Sequence, residues 1–145
     1  MQSHNISFRT QAHTSHDPDT VVSYGHKPDH RDNTRGKAQW LIKEADERAI
    51  FTTAMANCWT EKKFAWSLYR PQGQVAVLGV DRDHQTEVFI ARFDEHSTAA
   101  WHGYPCNHKE PQQRPPPSVL NDWLNQRIFS AAKIRKITWG QRCAI

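Results

Sequence analysis

Hydrophobic and polar positions change period along this chain, and the changes mark out its elements. Over 37–48 the apolar residues Ala38, Leu41, Ile42, Ala45 and then Ala49 recur at helical spacing, with Lys43, Glu44, Glu47 and Arg48 mainly opposite. That 3.6-residue period predicts an amphipathic helix. The following Ile50 to Met55 suits either a prolonged helix or a first strand, because its residues are rich in β-formers. From Phe64 the period shortens to two, with Phe64, Trp66 and Leu68 on one side. Pro71-Gln72-Gly73 then reads as a tight turn, since Pro fixes one corner and Gly permits a positive φ at the next. Apolar runs at 75–80 and 87–93, separated by the polar 81–85, predict two more strands. Connections this short join antiparallel neighbours. Residues 98–101 would add a further strand and lead into an aromatic, histidine-rich turn at 101–108.

Four prolines between Pro111 and Pro117 predict an extended linker. Val119, Leu120, Trp123 and Leu124 then share one face of a helix over 117–125. Ser130 is placed to cap a second short helix over 131–137, and Gly140 to end it. Ile134 and Ile137 would face inward while Lys133, Arg135 and Lys136 fan outward. The pattern therefore predicts an α+β fold: an N-terminal helix, an antiparallel β-meander of three to five strands, and two short C-terminal helices. Its core would join Phe64, Trp66, Leu68, Val77, Val88 or Phe89, and Ile90 to Leu41, Ile42, Val119, Leu120 and Trp123.

Composition adds a boundary. Residues 1–35 carry five His, four Asp and two Pro with few apolar positions and no sustained period, which predicts a flexible polar extension. A single α+β domain is expected over 36–145, a length one core can serve. Hydrophobic residues make up 37%, a low share that six Trp, six Phe and three Tyr partly offset through their area. No apolar run approaches the ~20 residues of a bilayer span. Met1-Gln2-Ser3-His4 lacks the basic and apolar regions of a secretory leader. Three cysteines cannot all pair within one chain, which fits a reducing compartment. A cytoplasmic location without a membrane partner is the expectation. The pattern asks for no cofactor and does not fix an oligomeric state.

Charge changes the picture most. From 109 to 145 seven Lys or Arg face two acids, a local balance of +5, while the remaining residues come to −1. A basic end set apart in this way implies an anionic partner. The leading expectation is non-catalytic binding of nucleic acid through Arg127, Lys133, Arg135, Lys136 and Arg142, with Trp139 or Trp123 stacking on a base. No array of Asn, Gln or Arg is placed to read base edges, so backbone or shape recognition is favoured. The alternative is a protein-interaction module of inhibitor, immunity or adaptor type. There the basic end docks an acidic protein and Trp101 and Tyr104 supply an anchor.

Two further constellations carry chemistry. His102, Cys106 and His108 are zinc-ligand types, but no paired Cys spacing supports them and a fourth ligand would have to come from afar. A rigid aromatic turn explains them as well. His96, His102 and His108 lie close in sequence, with Arg114 or Arg92 available to hold a phosphate. A small histidine-dependent ribonuclease needs such a base, acid and cation.

Overall fold

The computed structural model describes residues 3–7 and 21–145, and they form a mixed α+β fold. In chain order the strands are β1 (Ser3–Ser7), β2 (Val21–Gly25), β3 (Gln39–Trp40), β4 (Thr60–Glu61), β5 (Phe64–Leu68), β6 (Gly79–Val80), β7 (Glu87–Val88), β8 (Ile90–Ser97) and β9 (Ala100–Cys106). The helices are α1 (Glu44–Ala56), α2 (Pro117–Asn125) and α3 (Ala131–Thr138). Six strands make the main sheet in the order β1-β2-β9-β8-β5-β4, and β3-β6-β7 make a small second sheet. All pairings are antiparallel except β2 with β9.

The helix expected from residue 37 begins instead at Glu44 and takes in the ambiguous stretch up to Ala56. Gln39 and Trp40 are held as a strand against Val80 and Gly79, which ends any helical start there. Glu44, Asp46 and Glu47 then occupy the first turn, where carboxylates favour the positive end of the helix dipole. The shift moves Leu41 out of the core, and it is 60% exposed. The expected meander is also redrawn. β5 pairs with β8, and the 75–80 run meets the chain just past β5 in a Tyr69–Ala76 bridge. Gly79 crosses to the second sheet against Pro105, where an added Cβ would lie 2.4 Å from the proline Cγ. The 87–93 run is split, β7 in one sheet and β8 in the other.

The aromatic turn expected at 101–108 is mostly strand. Residues 101–106 belong to β9, and the chain reverses before it, with Ala99 at φ 58°. The C-terminal end follows its pattern closely. The Ser130 hydroxyl accepts the Lys133 N–H at 3.2 Å to cap α3, and Gly140 adopts φ 65° beyond it.

Residues 1, 2 and 8–20 of the expected extension lie outside the described residues. From Val21 onward the chain is part of the sheet: Val22 and Tyr24 are fully buried. Tyr24 reaches α1, where its hydroxyl donates to Glu47 Oε2. Arg31 completes that tie, with Nη2 at 2.6 Å from Glu47 Oε1 and Nη1 donating to the Ile42 carbonyl at 2.8 Å. Phe51 of α1 packs on Tyr24, Phe93 and Trp101, so the helix covers one face of the sheet. Side chains alternate across a strand. Arg92, Asp94 and His96 of β8 and His102 and Tyr104 of β9 therefore point to the other face. No helix among the described residues is long and apolar enough to cross a membrane.

Candidate functional site

The basic C-terminal residues form a surface because the apolar period of α3 leaves them no choice. Ile134 and Ile137 are buried, so Arg135 and Lys136 must face out. Trp139 follows Arg135 by four residues and Lys136 by three, which puts all three on one helical face. It is 70% exposed, the most exposed of the large hydrophobic side chains among the described residues. Arg127 and Arg142 are exposed at either end, and Lys133 is half-buried within the first turn of α3. The ion pairs of the described residues involve His26, Arg31, Arg82 and Arg92 and none of these five. The arrangement offers cations and an indole to solvent without a competing carboxylate. Trp123, the other stacking candidate, is fully buried, with its ring edge-on to Trp59.

The histidine set divides. His96 and His102 meet across the β8–β9 hairpin, Nδ1 to Nδ1 at 3.0 Å. Burial pushes the His102 pKa down to about 4, and Lys27, His96 and His30 add to the effect. His108 lies beyond the other end of β9. It is buried against Phe89, and its Nε2 donates to the Gln141 carbonyl at 2.6 Å. Burial lowers its pKa as well. Arg114 stays with His108: Nε donates to the His108 carbonyl at 2.8 Å and Nη2 to the Lys109 carbonyl at 3.3 Å. Its guanidinium is thus spent on fixing the 108–114 loop. The base, acid and cation expected together as His102, His108 and Arg114 do not share one site.

Trp101, expected as an exposed anchor, is 1% exposed and packs on Phe51. The strand period turns it toward α1, away from solvent. Tyr104 is half-buried. Its hydroxyl accepts from Arg92 Nη1 at 2.5 Å, and its ring stacks on His30 at 5.6 Å. Cys106 is buried, and desolvation raises its thiol pKa. Among the described residues no three His, Cys, Asp or Glu side chains gather as a metal would need.

The sequence reading missed the residues that complete the His96–His102 corner. Lys27 and His30 come from the segment after β2, about seventy positions from β9, and no local period joins them. Asp94 lies directly across from His102 in the β8–β9 register. Burial raises its pKa, against the pull of Arg92, His30 and Lys27. Alternation along β8 was the one signal available, since it places Arg92, Asp94 and His96 on one face. Comparison with protein-family models, curated proteins and solved structures returned no match.

Proposed function

We propose that this protein binds single-stranded nucleic acid without cleaving it, through the face of α3. The observation that carries the reading is Trp139, 70% exposed beside Arg135 and Lys136. A folded chain gains nothing from an indole left in water, whereas a base can stack on it while the neighbouring cations meet phosphates. Lys133, Arg127 and Arg142 extend the positive field. Helix α3 has too few polar side chains of reading type for base-edge discrimination, so the mode is backbone plus stacking.

The test is salt dependence. If about three cations neutralise phosphates, raising salt fourfold weakens binding by ~20-fold for a single strand and ~40-fold for a duplex. Fluorescence polarisation with random RNA and DNA oligonucleotides measures this directly. A flat response sinks the proposal. An acidic protein captured through the same face after nuclease treatment would transfer the face to the interaction-module reading.

A further inference from the structure

We propose that the cleft between the 27–38 segment and the outer face of β8–β9 binds a phosphate-type oxyanion, presented as a phosphate monoester or diester. The cleft has a volume of about 380 Å³ and is separate from α3, so the inference goes beyond the nucleic-acid reading.

Its walls are fixed. His30 Nδ1 donates to the Ala38 carbonyl at 2.8 Å, and a His84 ring nitrogen donates to the Lys37 carbonyl at 2.9 Å. With its proton on Nδ1, the neutral His30 ring has only an acceptor at Nε2, so it serves the cleft as a wall and not as a donor. On the floor, Arg92 lies over the Phe64 ring at 4.2 Å and donates to Tyr104. That bond uses the Tyr104 oxygen as an acceptor, so its own O–H remains available to donate. Burial pushes the Tyr104 pKa up to about 12, which keeps that proton in place.

Lys27, Lys37 and Arg82 line the cleft against Asp29, Asp81 and Asp94, so pairing decides which charges are left over. Asp94 has its own counter-ion, with Oδ1 at 3.8 Å from Arg92 Nε. The third carboxylate of the lining, Asp81, is already engaged: Oδ1 accepts the Arg82 N–H and Oδ2 accepts Asn107 Nδ2, each at 2.8 Å. Lys27 and Lys37 line the cleft and have no carboxylate partner among the described residues.

The shape of the donor set selects the ligand. A carboxylate is best held by an open guanidinium fork, and none is open here: Arg92 is taken up by Tyr104, Phe64 and Asp94, and Arg82 of the lining lies between Asp81 and Glu110. What remains is a set of single-point donors on separate elements: two ammonium groups and a phenol. When His96 Nδ1–H donates to His102 Nδ1, His102 carries its proton on Nε2 and adds a donor. Point donors arriving from several directions suit a tetrahedral oxyanion, whose oxygens also point in several directions.

Isothermal titration of the full chain at low ionic strength tests this, with inorganic phosphate and a nucleoside 5′-monophosphate as probes. Saturable one-to-one binding of either probe is expected. Lys27→Gln combined with Lys37→Gln should weaken it at least ~10-fold, as loss of charge-assisted bonds implies. Lys27→Arg should keep most of it. Tyr104→Phe leaves the ring stack in place and should cost a few-fold, which guards against misfolding of the double variant. A tighter mononucleotide than phosphate assigns an ester ligand. Displacement of either probe by single-stranded RNA assigns a strand phosphate. Arg135→Gln with Lys136→Gln should leave both titrations unchanged while weakening RNA, so the two proposals fail separately. No saturable binding of either probe, or binding indifferent to Lys27, Lys37 and Tyr104, overturns the assignment.

Discussion

Positive charge collects in two regions of this molecule and is treated in opposite ways. On the sheet side two guanidiniums are folded into contacts: Arg31 on Glu47 and the Ile42 carbonyl, Arg92 between Phe64 and Tyr104. On α3, Arg135 and Lys136 stand in solvent beside Trp139. The first kind of cation is committed to the protein, and the second is available to something else. Net charge by segment cannot separate the two. It gave the C-terminal end +5 and drew attention there, yet Arg114, one of the seven, serves only the loop beneath His108.

The widest gap between the regions should appear in stability. Glu47 is fully buried and accepts from Tyr24 and Arg31 together. Glu47→Ala strands a half-buried guanidinium and a buried phenol, and breaking a buried ion pair from one side costs about 3–5 kcal/mol. Arg135→Ala on α3 should stay within about 0.5 kcal/mol, as exposed substitutions do. Urea unfolding of both variants measures the contrast. Equal costs would mean that the Glu47 site is wetter, or α3 more engaged, than their contacts imply.

The same contrast explains what was legible in the sequence. The C-terminal helices announce themselves through local signals: an apolar face, a Ser cap, a closing Gly. Strand β5 does so through simple alternation. The Lys37–Arg48 pattern misled because Ala38 and Ile42 are buried for different reasons, one beside a strand and the other just ahead of α1. Periodicity cannot tell burial by a helix face from burial by tertiary contact. The β2–β9 pairing is another case. It joins residues about seventy-five positions apart in parallel, and nothing local encodes it. That pairing leads the chain toward the Lys27–His30 wall of the cleft, so the site was illegible for the same reason as the topology. The His96–His102 contact was half legible, since a hairpin brings its own two strands together.

Trp139→Ala is the next largest effect expected, and it reads on α3 alone. Stacking of a base on an aromatic side chain contributes about 1–3 kcal/mol. Affinity for single-stranded RNA should therefore fall by ~5- to 150-fold, with the salt slope unchanged because no cation is removed. Loss of affinity together with a shallower slope would mean that the substitution disturbs the helix rather than a stack. Circular dichroism of the variant distinguishes these outcomes.

The smallest effect is the one that most sharply divides the regions, because it depends on protons. His102 titrates near 4 in the folded protein, against 6.5 for an unconstrained histidine. Below pH 6.5 the unfolded chain takes up a proton that the folded chain refuses, so this group's contribution to stability is complete above 6.5 and is lost as pH falls toward 4. The full shift would correspond to about 3 kcal/mol, but His102 is only half-buried and solvent screens the interaction, so about 1 kcal/mol is expected. His108 adds a slope of the same sign, since its pKa is also lowered. Asp94 works the other way over a lower range: its folded pKa is raised, so stability is gained as pH falls through it. Between pH 7 and 5 the histidines dominate. His102→Gln should therefore flatten the decline in unfolding free energy by about 0.5 kcal/mol across that interval, about half of the whole contribution. Arg135→Ala with Lys136→Ala removes neither a histidine nor a carboxylate and should leave the slope as it is. A slope unchanged by His102→Gln would mean that the β8–β9 face is as open to water as α3, and the distinction between committed and available charge would fail at that corner.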